Sequence, residues 1–370
     1  MSKIIIYTRS GKTSPSSNYR ILQYADALNG DIECRPLTSD KLYKMHGAVK
    51  NKWSKLINYS LFYGAIQFNA FRYMLKDIHS LPDCIIVQRA ICPKIILSIN
   101  KILMKKVIQK VTKLIWDFDD EIIKCGEITK FELDLLQKYS TNIVVTGEIL
   151  CSKLCEEAQK RTTLMPTTDA EFENFDIQKA ISLRKETFDT QIELLWLATA
   201  PSMSNLYMAA EKLDKAAGAI KDIYHKRVIL HVVCNKPFEY EAKNFEIDNI
   251  TWTRERAAEM LLKSHIGIMP LENNEINRGK GGFKIIQYMS VGMPAVASDV
   301  GYNHQVIDQG KTGYLVKETS DPEGWGKSLL ELSANIDKYI EFCYSSRKRW
   351  DEKFSSKKNL ETWNKLIHNI

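Results

Sequence analysis

A chain of 370 residues exceeds the size at which one hydrophobic core normally stops growing, and 44% hydrophobic with 26% charged residues excludes a disordered polypeptide. Eight scattered cysteines without a Cys-x-x-Cys pair argue against zinc clusters and disulfide frameworks, leaving reduced, buried thiols of a cytoplasmic protein as the expectation. The net charge of +7 comes without a nucleic-acid reader motif and with aromatic residues spread along the chain, so nucleic acid is not an expected partner.

The opening MSKIIIYTRSG has a three-isoleucine core and no cleavage region, which reads as a first strand over Ile4 to Tyr7 rather than as a secretion signal. A loop from Thr8 to Ser17 follows, and Ser17 or Asn18 is a candidate cap for a helix from Tyr19 to Leu28. Strands are predicted near Ile32 to Pro36 and over Cys84 to Gln88, Leu114 to Phe118 and Asn142 to Thr146. Helices are predicted around Lys94 to Gln109, Lys130 to Tyr139 and Ile149 to Ala158. This alternation predicts a parallel α/β domain. The charged segment Phe172 to Thr190 then reads as the crossover to a second domain.

The longest uncharged run, Leu56 to Phe71, is sixteen residues with Asn58, Gln67 and Asn69 inside it, too short and too polar for a crossing helix. Ile57, Leu61, Phe68 and Phe71 make an apolar stripe at helical spacing, and Lys50, Lys52 and Lys55 precede it. Seven Lys or Arg and no acid lie between Cys84 and Trp116. That pairing suits either a helix resting on an anionic membrane surface or one packed on its own domain with a basic solvated edge.

Several residues of this half can carry chemistry. Arg9, Ser16, Ser17 and Arg20 lie in or just beyond the first loop, and Arg89 ends a strand. Asp117, Asp119 and Asp120 close another strand in the run DFDD. Three readings of DFDD stay open: a solvated helix-capping turn, an acceptor-side or catalytic role for Asp117 and Asp119, and a divalent-cation site. Cys151 and Cys155, one helical turn apart, have no histidine beside them to complete a metal site.

The second half opens with a strand over Glu193 to Leu197 and the turn at Pro201 and Ser202, with Ser204 as candidate cap of a helix to Lys215. Strands Val228 to Val233, Ile250 to Trp252 and Ile266 to Pro270 and a helix Arg256 to Lys263 lead to the most informative stretch, RGKGGFKIIQYMSVGMPAVASDVGYNHQVIDQGKTGYLV. Gly279, Gly281 and Gly282 let a ligand approach the backbone, Lys280 brings a cation, and Phe283 to Val291 reads as a short helix whose N-terminus points at that loop. Amide groups and the helix dipole favour an anion there by about 0.3 to 1 kcal/mol before Arg278, Lys280 or Lys284 contributes. Strands at Ala295 to Ser298 and Tyr314 to Val316 flank a short segment at Asn303 to Asp308. His265, inside an apolar strand pattern, and His304 read as structural.

The run FKIIQYMSVGMPAVASDVGYNHQVIDQGKTGYLV resembles the donor-binding signature of family 4 retaining glycosyltransferases. The resemblance implies the GT-B fold: two facing Rossmann-like α/β domains with a C-terminal helix returning to the first, here RKRWDEKFSSKKNLETWNKLI. The implied domains are an acceptor domain over 1–185, joined by 350–370, and a nucleotide-sugar donor domain over 186–349. Members usually carry two glutamates eight positions apart; those positions hold Gly279 and Gln287 in this chain.

The implied activity is metal-independent, hexosyl-type transfer from a nucleotide-diphosphate sugar to a saccharide or lipid-linked saccharide acceptor. Such transfer belongs to cell-surface polysaccharide or glycan synthesis, with retention at the anomeric carbon. No cofactor is implied beyond that co-substrate, and the enzyme is expected in the cytoplasm, with an anionic membrane surface as a further partner. By the same resemblance Arg278, Lys280 and Asp119 are catalytic candidates. Pro201, Ser202, Gly281, Gly282, Phe283, Lys284 and Gln287 meet the donor, and Arg9, Ser16, Ser17, Arg20, Arg89 and Asp117 lie on the acceptor side. A catalytically silent scaffold of the same shape is the alternative that the two replaced glutamates leave open.

Overall fold

A computed structural model describes residues 2–47, 52–317 and 323–368; Lys50, the first lysine before the apolar stripe, lies outside them. The chain divides into two compact units. The first holds Met1–Ala170, Gly279–Gly281 and Ser356–Ile370, and the second holds Glu171–Arg278 and Gly282–Ser355. The helix Ile177–Thr187 therefore packs with the second unit rather than the first. Two buried or half-buried arginines account for this. Arg184 donates to the carbonyls of Leu261 and Gly292, and Arg347 donates to those of Phe172, Glu173 and Ser290.

In the first unit, β1 (Lys3–Thr8), β2 (Asp31–Pro36), β3 (Cys84–Gln88), β4 (Lys113–Phe118), β5 (Asn142–Val145) and β6 (Thr162–Leu164) form one parallel sheet in the order β2-β1-β3-β4-β5-β6. Helices cover both faces, so the central strands are near-continuous apolar runs, as IIIY and CIIV show. Side chains alternate across the sheet. Ile5, Tyr7, Ile85, Val87, Leu114 and Trp116 share a core with the helices Lys52–His79, Ser98–Lys110 and Lys130–Tyr139. Ile4, Ile6, Ile86, Ile115 and Val144 pack on the other face with Ile21, Leu22 and Trp363 of the C-terminal helix Ser356–His368. That helix is fixed by Trp363 Nε1 donating to the Arg20 carbonyl and Asn359 to the Pro166 carbonyl.

In the second unit, β7 (Gln191–Leu197), β8 (Arg227–Val233), β9 (Glu246–Ile250), β10 (Ile266–Met269), β11 (Ala295–Ser298) and β12 (Gly313–Val316) pair in parallel in the order β12-β11-β10-β7-β8-β9. Gly267 of β10 lies under the Tyr288 ring, where a β-carbon would sit 2.2 Å from the ring, so the helix Phe283–Ser290 seats flat on the sheet. In both sheets the strand order reverses beside the first strand of the unit, between β1 and β3 and between β7 and β10. Ligands of open α/β sheets bind beyond the carboxyl ends of the strands at such a reversal.

Several sequence expectations are corrected. The helix expected over Tyr19 to Leu28 is a one-turn α-helix at Pro15–Ser17, a wide turn at Asn18–Leu22 and a tight turn at Ala25–Ala27, with no side-chain cap from Ser17. The helix expected from Lys94 starts only at Ser98, because Lys94 adopts a left-handed backbone with φ 63° beside Pro93. The helix expected over Ile149 to Ala158 is broken between Cys151 and Glu156. The strand expected at Ile250 to Trp252 is β9, which ends at Ile250, and the helix expected from Ser204 begins at Met203. The C-terminal run is two helices, Ile336–Lys353 and Ser356–His368. The cysteines are free, but Cys34, Cys125 and Cys155 are exposed rather than buried.

Candidate active site

At the reversal in the first sheet, the loops after β1, β3 and β4 bring together most of the residues expected there. Arg20 is fully buried and spans the Asp117 carboxylate, with Nε 3.1 Å from Oδ1, while its Nη1 donates to the Met165 carbonyl at 2.7 Å. Burial works against this charge, and Asp117 outweighs it, holding the guanidinium above its ordinary range. Ser16 donates to Asp119 at 2.6 Å and accepts from Gln88 Nε2 at 2.7 Å. Arg89 donates to Asp119 from Nε at 2.9 Å and also pairs with Asp120 and Glu127, and Glu127 in turn pairs with Arg9. Burial would raise the Asp119 carboxyl, but Arg89, Arg20 and the Ser16 hydroxyl pull it below its usual value.

Arg89 makes these contacts from a left-handed backbone at φ 63°, a conformation that costs a non-glycine residue of order 1 to 3 kcal/mol and clusters at functional sites. Two polar atoms of this edge, Ser17 Oγ and Gln88 Oε1, are buried without a hydrogen-bond partner in the protein. The DFDD carboxylates are thus engaged by arginines and a serine. Among the described residues no group of three or more His, Cys, Asp or Glu side chains is disposed to hold a metal ion.

Gly279–Gly281 group by contact with this same unit. A β-carbon on Gly281 would lie 2.2 Å from Thr146 Cγ2, at the end of β5, so only glycine lets the loop run there. Lys280 is held below the ordinary lysine value by burial, an effect that Asp120 partly offsets.

In the second unit the loops after β7 and β10 are organised by asparagines. Asn205 and Asn277, both buried, are joined through Asn205 Oδ1, which accepts from Asn277 Nδ2 at 3.1 Å and from the Glu272 amide at 2.9 Å. Arg278 is exposed and donates to Asn273 at 2.7 Å. Gly282, at φ 64°, is the residue before the helix Phe283–Ser290, whose N-terminus carries no side-chain cap. Pro201 is exposed and Ser202 half-buried in the turn before the helix Met203–Tyr224, whose N-terminus is likewise without a side-chain cap. Lys284 is half-buried, and its Nζ lies 3.2 Å from Oε1 of the buried Gln287 one turn on. Each of these helix N-termini lies at the β7/β10 reversal, and each favours an anion.

Residues 201–335 match the family model described as "Glycosyl transferases group 1". None of the curated proteins compared with the sequence matches it. Among solved structures, Anabaena HepE in complex with UDP and glucose is similar over 100% of both chains, at 10% identity and a TM-score of 0.68. A glycosyltransferase from Rickettsia africae is similar over 100% of both chains at 12% identity and a TM-score of 0.62. The sucrose-phosphate synthase of Thermosynechococcus elongatus covers 99% of this chain and 98% of its own, at 11% identity and a TM-score of 0.62. The architecture of two parallel six-stranded sheets with helices is the GT-B fold.

Sequence reading missed Glu127, Asn205, Asn277 and Thr146. Glu127 sits between strands in an unpatterned loop, and only the pairing of β3 beside β4 shows that it serves Arg9 and Arg89. His265 is structural, as expected: it is buried, accepts from the Glu193 amide at 2.9 Å and contacts the Arg184 carbonyl.

Proposed function

We propose that the protein is a glycosyltransferase that moves a hexosyl group from a nucleotide-diphosphate sugar to a saccharide or lipid-linked saccharide acceptor, with retention at the anomeric carbon. The observation that carries this reading is the glycine-turned, uncapped N-terminus of Phe283–Ser290 at the strand reversal of a domain that matches group 1 glycosyltransferases. The UDP and glucose bound by HepE support a nucleotide sugar as the donor.

In the reaction the bond between the anomeric carbon and the diphosphate oxygen breaks, the acceptor oxygen forms the new glycosidic bond, and the acceptor hydroxyl proton passes to the leaving diphosphate. Charge accumulates on the leaving diphosphate. Arg278, Lys280 and the amides of Gly281, Gly282 and Phe283 are the groups to stabilise it, with no metal and no cofactor beyond the co-substrate. Pro201, Ser202 and Lys284 border the donor, and Gln287 accepts from its ribose. Asp119, kept ionised by Arg89, orients the acceptor side together with Arg9, Ser16, Ser17 and Arg89. Arg20 and Asp117 hold that wall in place. The reading places the enzyme in the cytoplasm, peripheral to a membrane, in surface-polysaccharide or glycan synthesis. Among the described residues no helix is long and apolar enough to cross one.

The test is a product assay against a panel of nucleotide sugars with membrane lipid extract, in which one nucleoside diphosphate should be released. A silent scaffold is the second reading, favoured by Gly279 and by the Lys284 contact on Gln287. Calorimetric titration with several nucleoside diphosphates separates the two, since a scaffold binds none.

A further inference from the structure

Half of the large apolar side chains that stand exposed among the described residues fall within two short stretches of the first unit. On the helix Lys52–His79, Trp53, Ile57, Leu61 and Phe68 recur at helical spacing on one stripe, with exposures of 78, 58, 51 and 63%. The opposite stripe, Phe62, Ile66, Ala70 and Met74, is buried against the sheet. This helix is apolar on two faces, and among the described residues only one of them is covered. A helix apolar on both sides is normally buried on both.

The second stretch is Ile95, Leu97, Ile99 and Ile102, each about half exposed, at the start of the helix Ser98–Lys110. Gln67 binds the two stretches together: its Nε2 donates to the Ile95 carbonyl at 2.7 Å, and its Oε1 accepts from the Leu97 amide at 3.1 Å. Gln67 directly precedes Phe68, so the segment carrying Ile95 and Leu97 is tied to the helix at that point. Both helices pack on the same face of the sheet, and their outer sides point away from it.

Lysines lie on and beside this face. Lys55, Lys94, Lys105, Lys106 and Lys110 are exposed on or beside the same two helices, and no acid occurs from Cys84 to Trp116. An uncovered apolar stripe with large aromatic and branched residues, rimmed by lysines, complements a surface that offers hydrocarbon beneath a layer of negative charge.

We propose that the outer face of Lys52–His79 and of residues 95–110 docks on an anionic lipid bilayer, with Trp53, Ile57, Leu61, Phe68 and Ile102 entering the headgroup boundary and the lysines on its charge. This deepens, and rests on, the reading of the protein as an enzyme of lipid-linked acceptors. The test is co-sedimentation of the full chain with phosphatidylcholine vesicles, with and without phosphatidylglycerol. Binding is expected to the anionic vesicles and to weaken with salt. The exposed double variant Leu61→Glu/Phe68→Glu should lose at least ten-fold, and Lys105→Ala and Lys106→Ala about five-fold each, equivalent to about 1 kcal/mol per lysine at such a surface.

Equal partition onto neutral vesicles, none onto anionic ones, or variants that bind like the parent would overturn the proposal. So would a wild-type dimer in solution that Leu61→Glu/Phe68→Glu dissolves, since the face would then belong to a second copy. Nucleoside diphosphate titration on the same preparations keeps the two readings apart. Nucleotide binding without vesicle binding removes only the docking face; vesicle binding without nucleotide binding removes the proposed transferase instead.

Discussion

The two sheets reverse strand order in the same way, yet the edges at those reversals are made of different chemistry. The first is a wall of side chains in which Arg9, Arg20 and Arg89 are matched against Asp117, Asp119, Asp120 and Glu127. The second is made largely of backbone: Gly282 turning into an uncapped helix, loops tied by Asn205 and Asn277, and Gly301, whose β-carbon would meet the Arg278 carbonyl at 2.4 Å. A wall of paired charges is sensitive to the loss of either partner. A backbone cradle is sensitive to the gain of an atom and to the few side chains that reach over it.

The sharpest way to break this comparison is Asp117→Ala. It strands the Arg20 guanidinium in a site where both side chains have no exposure, and removal of one member of such a buried pair typically costs about 3 to 5 kcal/mol. Urea denaturation should show the midpoint fall accordingly, and a loss under about 1 kcal/mol would mean that the pair does not hold the wall.

A second carboxyl of the first unit behaves differently because it is held by amides rather than by arginines. Glu132 is fully buried and accepts from the Ile91 and Cys92 amides, and burial pushes its pKa from 4.5 up to about 7 despite those bonds. The folded chain therefore keeps this proton to higher pH than the unfolded chain. Stability should fall as pH rises from about 4.5 to about 7, with the full penalty, on the order of 3 kcal/mol, present above that window. Stability curves of the parent and of Glu132→Gln, measured from acid to neutral pH, should converge at the acid end and separate through it. Parallel curves would remove Glu132 as the source.

This contrast also explains what could be read from the sequence. β3, β11 and the helix Lys130–Tyr139 were legible to the residue, because apolar runs bounded by turn residues depend on local pattern alone. The turn into the helix Phe283–Ser290 was legible as well, since the glycines of RGKGGFK stand directly before an apolar run at helical spacing. The charged wall was legible only as separate candidates. That Asp117 faces Arg20, and that Glu127 joins Arg9 to Arg89, depends on which strands neighbour each other, and no periodicity encodes that. The irregular start at Pro15–Leu22 was hidden for a related reason: Arg20 and Ser16 turn inward to meet acids about one hundred residues away in sequence.

In the glycine loop, whose Gly279–Gly281 groups with the first unit, the effects should be smaller than that of Asp117→Ala and should appear in binding or turnover rather than in folding. On the proposed reading Lys280→Ala removes a hydrogen bond to the leaving diphosphate, worth about 1.5 to 3 kcal/mol, which is roughly ten- to 150-fold in turnover once donor is bound. Single-turnover kinetics with the identified donor would check it, and unchanged rates would remove Lys280 from the site. The urea midpoint should barely move, in contrast to Asp117→Ala.

The smallest effect expected is that of Gln287→Glu, and it bears most directly on the missing glutamates. Gln287 Oε1 already accepts from Lys284 Nζ at 3.2 Å, so a carboxylate there gains an ion pair one turn away, worth about 0.2 to 0.5 kcal/mol on a helix. A carboxylate also accepts from a ribose hydroxyl more strongly than an amide does, but it must share its oxygens with the lysine. The two effects oppose each other, and nucleotide affinity measured by calorimetry should stay within a few-fold of the parent. Gln287→Ala, which removes the acceptor altogether, should weaken nucleotide binding more than it slows bound-state turnover. If Gln287→Glu abolishes binding while Gln287→Ala leaves it intact, the ribose does not lie against this residue, and the departure at this position marks a different way of holding the donor.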